Sequence, residues 1–166
     1  RDGATQDITY AQLRDATNRF ANVLAGLGVA AGDRVFLLSG RIPVLYVALL
    51  GALKHRCTVT PLFSAFGPEP IATRIGLGAG KVLVTTTSLY RRKVESIRPT
   101  LGSVEHVLLV RDDETSALPA GTLDLQALLD AGSSVYEIGP TDPETPALLH
   151  FTSGTTGKPK GALHVH

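Results

Sequence analysis

Four hydroxyl side chains, three glycines and two lysines fall within the ten residues Thr152–Gly161. Glycine lets a backbone turn sharply and brings bare N–H groups against a ligand. Serine and threonine hydroxyls donate to anionic oxygens, and lysine adds a compact, mobile positive charge. The apolar stretch Ala147–Phe151 runs straight into this segment, as a strand enters a loop. The combination predicts a loop that holds polyphosphate, with Thr152, Ser153, Gly154, Thr155, Thr156, Gly157, Lys158 and Lys160 as its contacts. A solvent-exposed turn between two strands is the plainer reading of such a composition. The G-x-x-x-x-G-K-[ST] nucleotide loop is not met. Only two residues separate Gly154 from Gly157, and Pro159 follows Lys158 where that pattern needs a magnesium-binding hydroxyl.

The segment resembles the phosphate-binding signature of the adenylate-forming enzymes, a family of acyl-CoA synthetases, luciferases and peptide-synthetase adenylation domains. Ile8–Leu13, Gly32–Val35 and Pro61–Phe63 resemble the family's N-terminal blocks, in the family's order. Pro61–Pro68 and Lys160–His166 are most similar to the acetyl-CoA synthetases and their short-chain relatives. The likeness covers essentially the whole chain. It departs at Arg56-Cys57, where the family often has a small Gly-Ala pair.

The resemblance implies an α/β fold, a mostly parallel sheet flanked by helices, forming the N-terminal part of the family's large domain. Residues 1–166 would then end just after the loop at 152–161. It implies two half-reactions: a carboxylate attacks the α-phosphate of ATP, and coenzyme A then displaces AMP from the acyl-adenylate. ATP with Mg2+, a short carboxylate and coenzyme A are the expected partners, with no nucleic acid and no membrane. In the family the adenine, ribose and acyl pockets, and the C-terminal domain with its adenylation lysine, lie downstream. No catalytic residue and no metal site is therefore expected within this chain, which should be inactive alone. Starting at Arg1 and lacking methionine, it reads as an N-terminal piece of a longer protein. A longer-chain acyl-CoA synthetase and a carrier-protein-loading adenylation domain are the rival enzymes, and a purely structural α/β piece is the non-enzyme alternative.

The loop needs a scaffold, and the preceding sequence supplies alternating elements. Thr9 reads as an N-cap with Gln12 completing a capping box, and Leu13, Ala16, Phe20, Val23, Leu24 and Leu27 recur at helical spacing up to Gly28. Arg34–Leu38, Cys57–Pro61, Lys81–Thr86 and Val104–Val110 read as strands. Between them, Pro43 opens an apolar helix, Ile71–Ile75 a shorter one, and Ser88 caps a helix carrying Leu89, Val94, Ile97 and Leu101. Leu123–Leu129 predicts a last short helix before Gly132. Such alternation predicts parallel β-α-β units.

Other features carry less. Gly26–Ala31 fits G-x-G-x-x-A but follows a helix and precedes a strand, the reverse of a dinucleotide site, and Gly76–Gly80 has the same fault. His164 and His166 would share one side of a strand; a polar strand end is the preferred reading over a metal pair. His150 reads as structural. The formal charge of +1 gives no reason to invoke nucleic acid. Ile42–Leu53 is too short to span a bilayer, which takes about 20 residues. The single cysteine, Cys57, suits a reducing cytoplasm and lies in an apolar stretch, as a buried hydrophobe does.

Overall fold

A computed structural model describes residues 7–112, 117–152 and 157–166. Each predicted apolar run becomes an element. Helix α1 (Tyr10–Gly26) starts from the Thr9–Gln12 capping box, with both reciprocal bonds made. It ends at Gly28, whose φ of +72° only glycine adopts freely, while Gly28 N–H and Val29 N–H donate to the Ala25 and Leu24 carbonyls. Strand β1 (Arg34–Leu38) leads through α2 (Pro43–Lys54), with proline in its first turn, to β2 (Thr58–Leu62). Helix α3 (Pro68–Leu77) then leads to β3 (Val82–Thr86).

Beyond β3 the observed helix differs from the predicted one. It is capped by Thr86, whose hydroxyl accepts from Leu89 N–H, and not by Ser88. After one turn, α4 (Thr87–Leu89), the chain widens into a π turn (Tyr90–Val94) and tightens into a 3-10 stretch (Glu95–Thr100) containing Pro99. Strand β4 (His106–Val110) starts later than predicted, and β5 (Leu123–Asp124) precedes α5 (Leu125–Ala131) inside what the sequence presented as one helix. Asp124 ends the strand and caps the helix by accepting from Gln126 and Ala127 N–H. Strands β6 (Pro146–Thr152) and β7 (Lys160–Val165) close the chain.

The seven strands among the described residues form one sheet in the order β5-β4-β3-β1-β2-β6-β7. All neighbours are parallel except β6 and β7, which pair antiparallel. The central strands are buried on both faces, and alternate side chains feed two cores. Val35 and Leu37 join α1, α2 and α5 on one face; Phe36 and Leu38 join α3 and the segment after β3 on the other. The fit is close at two glycines. A Cβ on Gly51 would lie 2.8 Å from the Thr17 carbonyl oxygen, so the α1 and α2 backbones meet closely there. A Cβ on Gly80 would lie 2.5 Å from the Phe36 ring, and this explains the glycines at 78 and 80: they make room for a buried phenyl group.

The last two strands are attached differently. Strand β6 meets β2 at the single register pair Val59↔Leu148, whereas it runs alongside β7 from Pro146↔Val165 to Thr152↔Lys160. Every residue of β7 is exposed.

Candidate functional site

Two features lie at the C-terminal edge of the parallel strands, where ligands of open α/β sheets bind. The first is the connection between β6 and β7. Thr152 is the last residue of β6 and faces Lys160, the first of β7; its hydroxyl donates to the Lys160 carbonyl at 3.5 Å. Between them Gly157 has a φ of +81°, a turn that favours glycine. Lys158 and Lys160 are both exposed. The hairpin therefore brings Thr152, Gly157, Lys158 and Lys160 of the predicted contact set to one end of the sheet. Ser153, Gly154, Thr155 and Thr156 lie outside the described residues.

The second feature is a cleft of about 630 Å³ that the sequence did not announce. Adjacent strands β1 and β3 send their following helices to opposite faces, and the crevice this opens is the topological switch point of a doubly wound sheet. Gly40 and Pro43 line it after β1, Ser88, Arg92 and Lys93 after β3, and Asp112 after β4. Lys93 is tied down by donating to the Ser64 and Phe66 carbonyls at 2.6 and 2.8 Å. Arg92 Nε donates to the Ser88 carbonyl at 3.2 Å. Asp112 accepts from Ser88 N–H at 2.9 Å and from the Ser88 hydroxyl. Burial alone would raise the Asp112 carboxyl, but the Ser88 and Thr86 hydrogen bonds outweigh it and hold the group below the usual aspartate value. The Arg91-Arg92-Lys93 run is the signal in the sequence, and on a helix it reads as a solvated face.

The remaining candidates fall elsewhere. His164 does not pair with His166; it packs edge-on against His150, ring centroids 5.9 Å apart, across the β6–β7 pair. His166 donates its N–H to the Thr145 carbonyl and lines an apolar groove with Tyr10, Leu50 and Ile138. Cys57 is fully buried, its thiol pushed up to about 12 by burial and by the nearby Asp33 charge, so no nucleophile is available there. Beside it, Arg56 has a φ of +60°, the left-handed conformation that a glycine at this position would adopt without strain. No described helix is long and apolar enough to cross a membrane.

Comparison with known proteins agrees with this architecture. The family described as "AMP-binding enzyme" matches residues 2–166. The acetyl-coenzyme A synthetase of Streptomyces coelicolor is 35% identical over 172 residues, covering 98% of this chain and 26% of that protein. That of Bacillus subtilis is 38% identical over 162 residues, covering 97% of this chain and 27% of its own length. The chain thus spans about a quarter of the length of these relatives. Among solved structures, the Brucella canis acyl-CoA synthetase aligns at a TM-score of 0.83 and 32% identity, covering 98% of this chain and 28% of that one. The anthranilate CoA ligase AuaEII, solved with anthranoyl-AMP, aligns at a TM-score of 0.86 and 24% identity, covering 97% of this chain and 29% of its own, a likeness of fold.

Proposed function

The chain belongs to the AMP-binding enzyme family, and on that premise we propose that it is part of an AMP-forming acid–thiol ligase whose acid is acetate. In the first half-reaction acetate attacks the α-phosphate of ATP and pyrophosphate leaves; in the second, the coenzyme A thiol displaces AMP to give the thioester. Attack on phosphorus asks little of side chains as proton donors. It needs the phosphates held in line and their growing charge neutralised. That is the role we assign to the β6–β7 connection: backbone N–H groups at Gly154 and Gly157, hydroxyls of Thr152, Ser153, Thr155 and Thr156, and the charges of Lys158 and Lys160. Mg2+ enters with ATP as the counter-ion of its phosphates.

The observation that carries this reading is the hairpin, which brings Thr152, Gly157, Lys158 and Lys160 to the ligand-binding end of a doubly wound sheet. Coenzyme A is itself a phosphate ester, and Arg92 in the switch-point cleft is a cation at that same end of the sheet suited to it. Acetate is favoured over longer acids by the two acetyl-coenzyme A synthetases above, each more than 30% identical to this chain. We place the ligase in the cytoplasm, the compartment that a free, buried cysteine suits. The test is ATP–pyrophosphate exchange by the full-length protein across a panel of carboxylic acids. Acetate should support the fastest exchange. A preference for a long-chain acid or an amino acid would replace acetate by the corresponding alternative and leave the ligase assignment standing.

A further inference from the structure

Arg74 has an unusual set of surroundings for a residue in the last turn of a surface helix. Its guanidinium carbon lies 4.2 Å from the centroid of the Phe66 ring. One terminal nitrogen donates to the Pro70 carbonyl, one turn earlier in α3, at 3.0 Å. These two contacts fix the plane of the group. Its Nε–H is nevertheless buried and has no hydrogen-bond partner among the described residues. None of the ion pairs among those residues includes it. A solvent-facing arginine would satisfy Nε with water, so a buried donor without an acceptor calls for an explanation.

The neighbours supply one. Arg74 lines a hollow of about 340 Å³ together with Gly157 and Pro159, the return arm of the β6–β7 connection. It also lines a second hollow with His150 and Phe151, near the end of the outgoing strand. Arg74 thus borders a hollow beside each arm of the turn. The chemistry also fits. Proline has no N–H, so the Lys158–Pro159 peptide offers only a carbonyl, an acceptor. A guanidinium offers only donors, in a rigid fork.

We propose that Arg74 is a positioning residue for the phosphate loop: its unpartnered Nε is the donor that the Gly157–Pro159 arm takes up when phosphates are bound. This rests on the reading of that loop as the polyphosphate holder. Arg74 acts through the arm: it sets where Lys158 stands when the phosphates are bound, and Phe66 and Pro70 keep it from following the arm away.

Two measurements test this. In the full-length protein, Arg74→Ala should slow acetate-dependent pyrophosphate exchange about 10- to 100-fold, the range expected for losing a hydrogen bond to a charged group. Conversion of supplied acetyl-adenylate to acetyl-CoA should be unchanged, because no pyrophosphate occupies the loop in that step. Arg74→Lys should recover little, since an ammonium lacks the fork. In the full-length protein with pyrophosphate bound, Arg74→Ala should speed amide exchange at Gly157 and Lys158 and leave the β1 amides as they are. Equal losses in both half-reactions, full recovery by lysine, or unchanged exchange at Gly157 and Lys158 would each overturn the assignment. Lack of pyrophosphate exchange by the wild-type protein with every acid strikes the ligase reading instead, and the amide measurement then still decides the role of Arg74.

Discussion

At residue scale, the ionised side chains of the described structure mostly hold backbone in place. Asp33, in the turn before β1, accepts from Ala30 N–H at 2.7 Å and from the Lys81 ammonium at 2.8 Å, while its own carbonyl takes Thr58 N–H. One residue therefore ties together the starts of β1, β2 and β3. Burial pushes the Asp33 carboxyl up, but the Lys81 bond, the Ala30 N–H and the Lys81 charge together bring it below the ordinary 3.8. A lowered folded-state value contributes stability that is complete above 3.8 and fades as the pH falls through the lower, folded value. Asp33→Asn should thus be less stable than the parent chain near neutrality, and the gap should close below pH 3.8. Urea melts of both chains at neutral and acid pH would check this; a constant gap would show that Asp33 contributes shape and not charge. Asp33 was visible in the sequence within a likeness to a family block. Its partner Lys81 was not, because nothing in the local pattern says that the starts of β1 and β3 adjoin.

At the scale of elements, caps and apolar spacing were legible and irregular pieces were not. The α1 boundaries follow from Thr9, Gln12 and Gly28, each of which carries its own hydrogen-bond logic. Strand β5 was hidden because two residues show no periodicity and Asp124 reads equally well as a helix cap. The segment after β3 is less regular than the spacing of Leu89, Val94 and Leu101 suggests, because Pro99 cannot donate within a helix. The glycines before β3 looked like a failed nucleotide motif, and only packing against Phe36 gives them a purpose. Gly80→Ala should force the buried ring to move, costing about 1–3 kcal/mol for overpacking. For a chain of this size that is a fall in Tm of roughly 2–4 °C per kcal/mol. Gly76→Ala is the control, because a Cβ there meets nothing within 4 Å. It should hold or slightly raise the Tm, as alanine suits a helix better than glycine. Equal melting of the two variants would refute the packing account.

At the scale of the whole molecule, the sequence indicated alternating units, but it did not give the order of the strands. That order comes from crossovers: the connection through α3 carries the chain from β2 past β1 to β3, and so creates the switch-point cleft. Composition offers a candidate contact set for the loop, whereas only the fold brings Arg74 to the same hollow as Gly157 and Pro159. One further property follows from the single register pair that joins β6 to β2. The five remaining strands share two buried cores and should open only with the global transition. The hairpin carries its own ladder and joins the sheet at one register pair, with Leu149 beside Gly78 and Phe151 against Phe36, so it should form a separate unit of cooperativity, a foldon of lower free energy. Native-state hydrogen exchange in low denaturant should show amides of Leu149 and Leu163 releasing together, before those of Phe36 and Val84. Simultaneous release would make the sheet one cooperative block. If the hairpin does release first, the strand pair that presents the lysines can be remodelled, by substitution or by a bound anion, at a cost confined to the contacts of Ala147, Leu149 and Phe151.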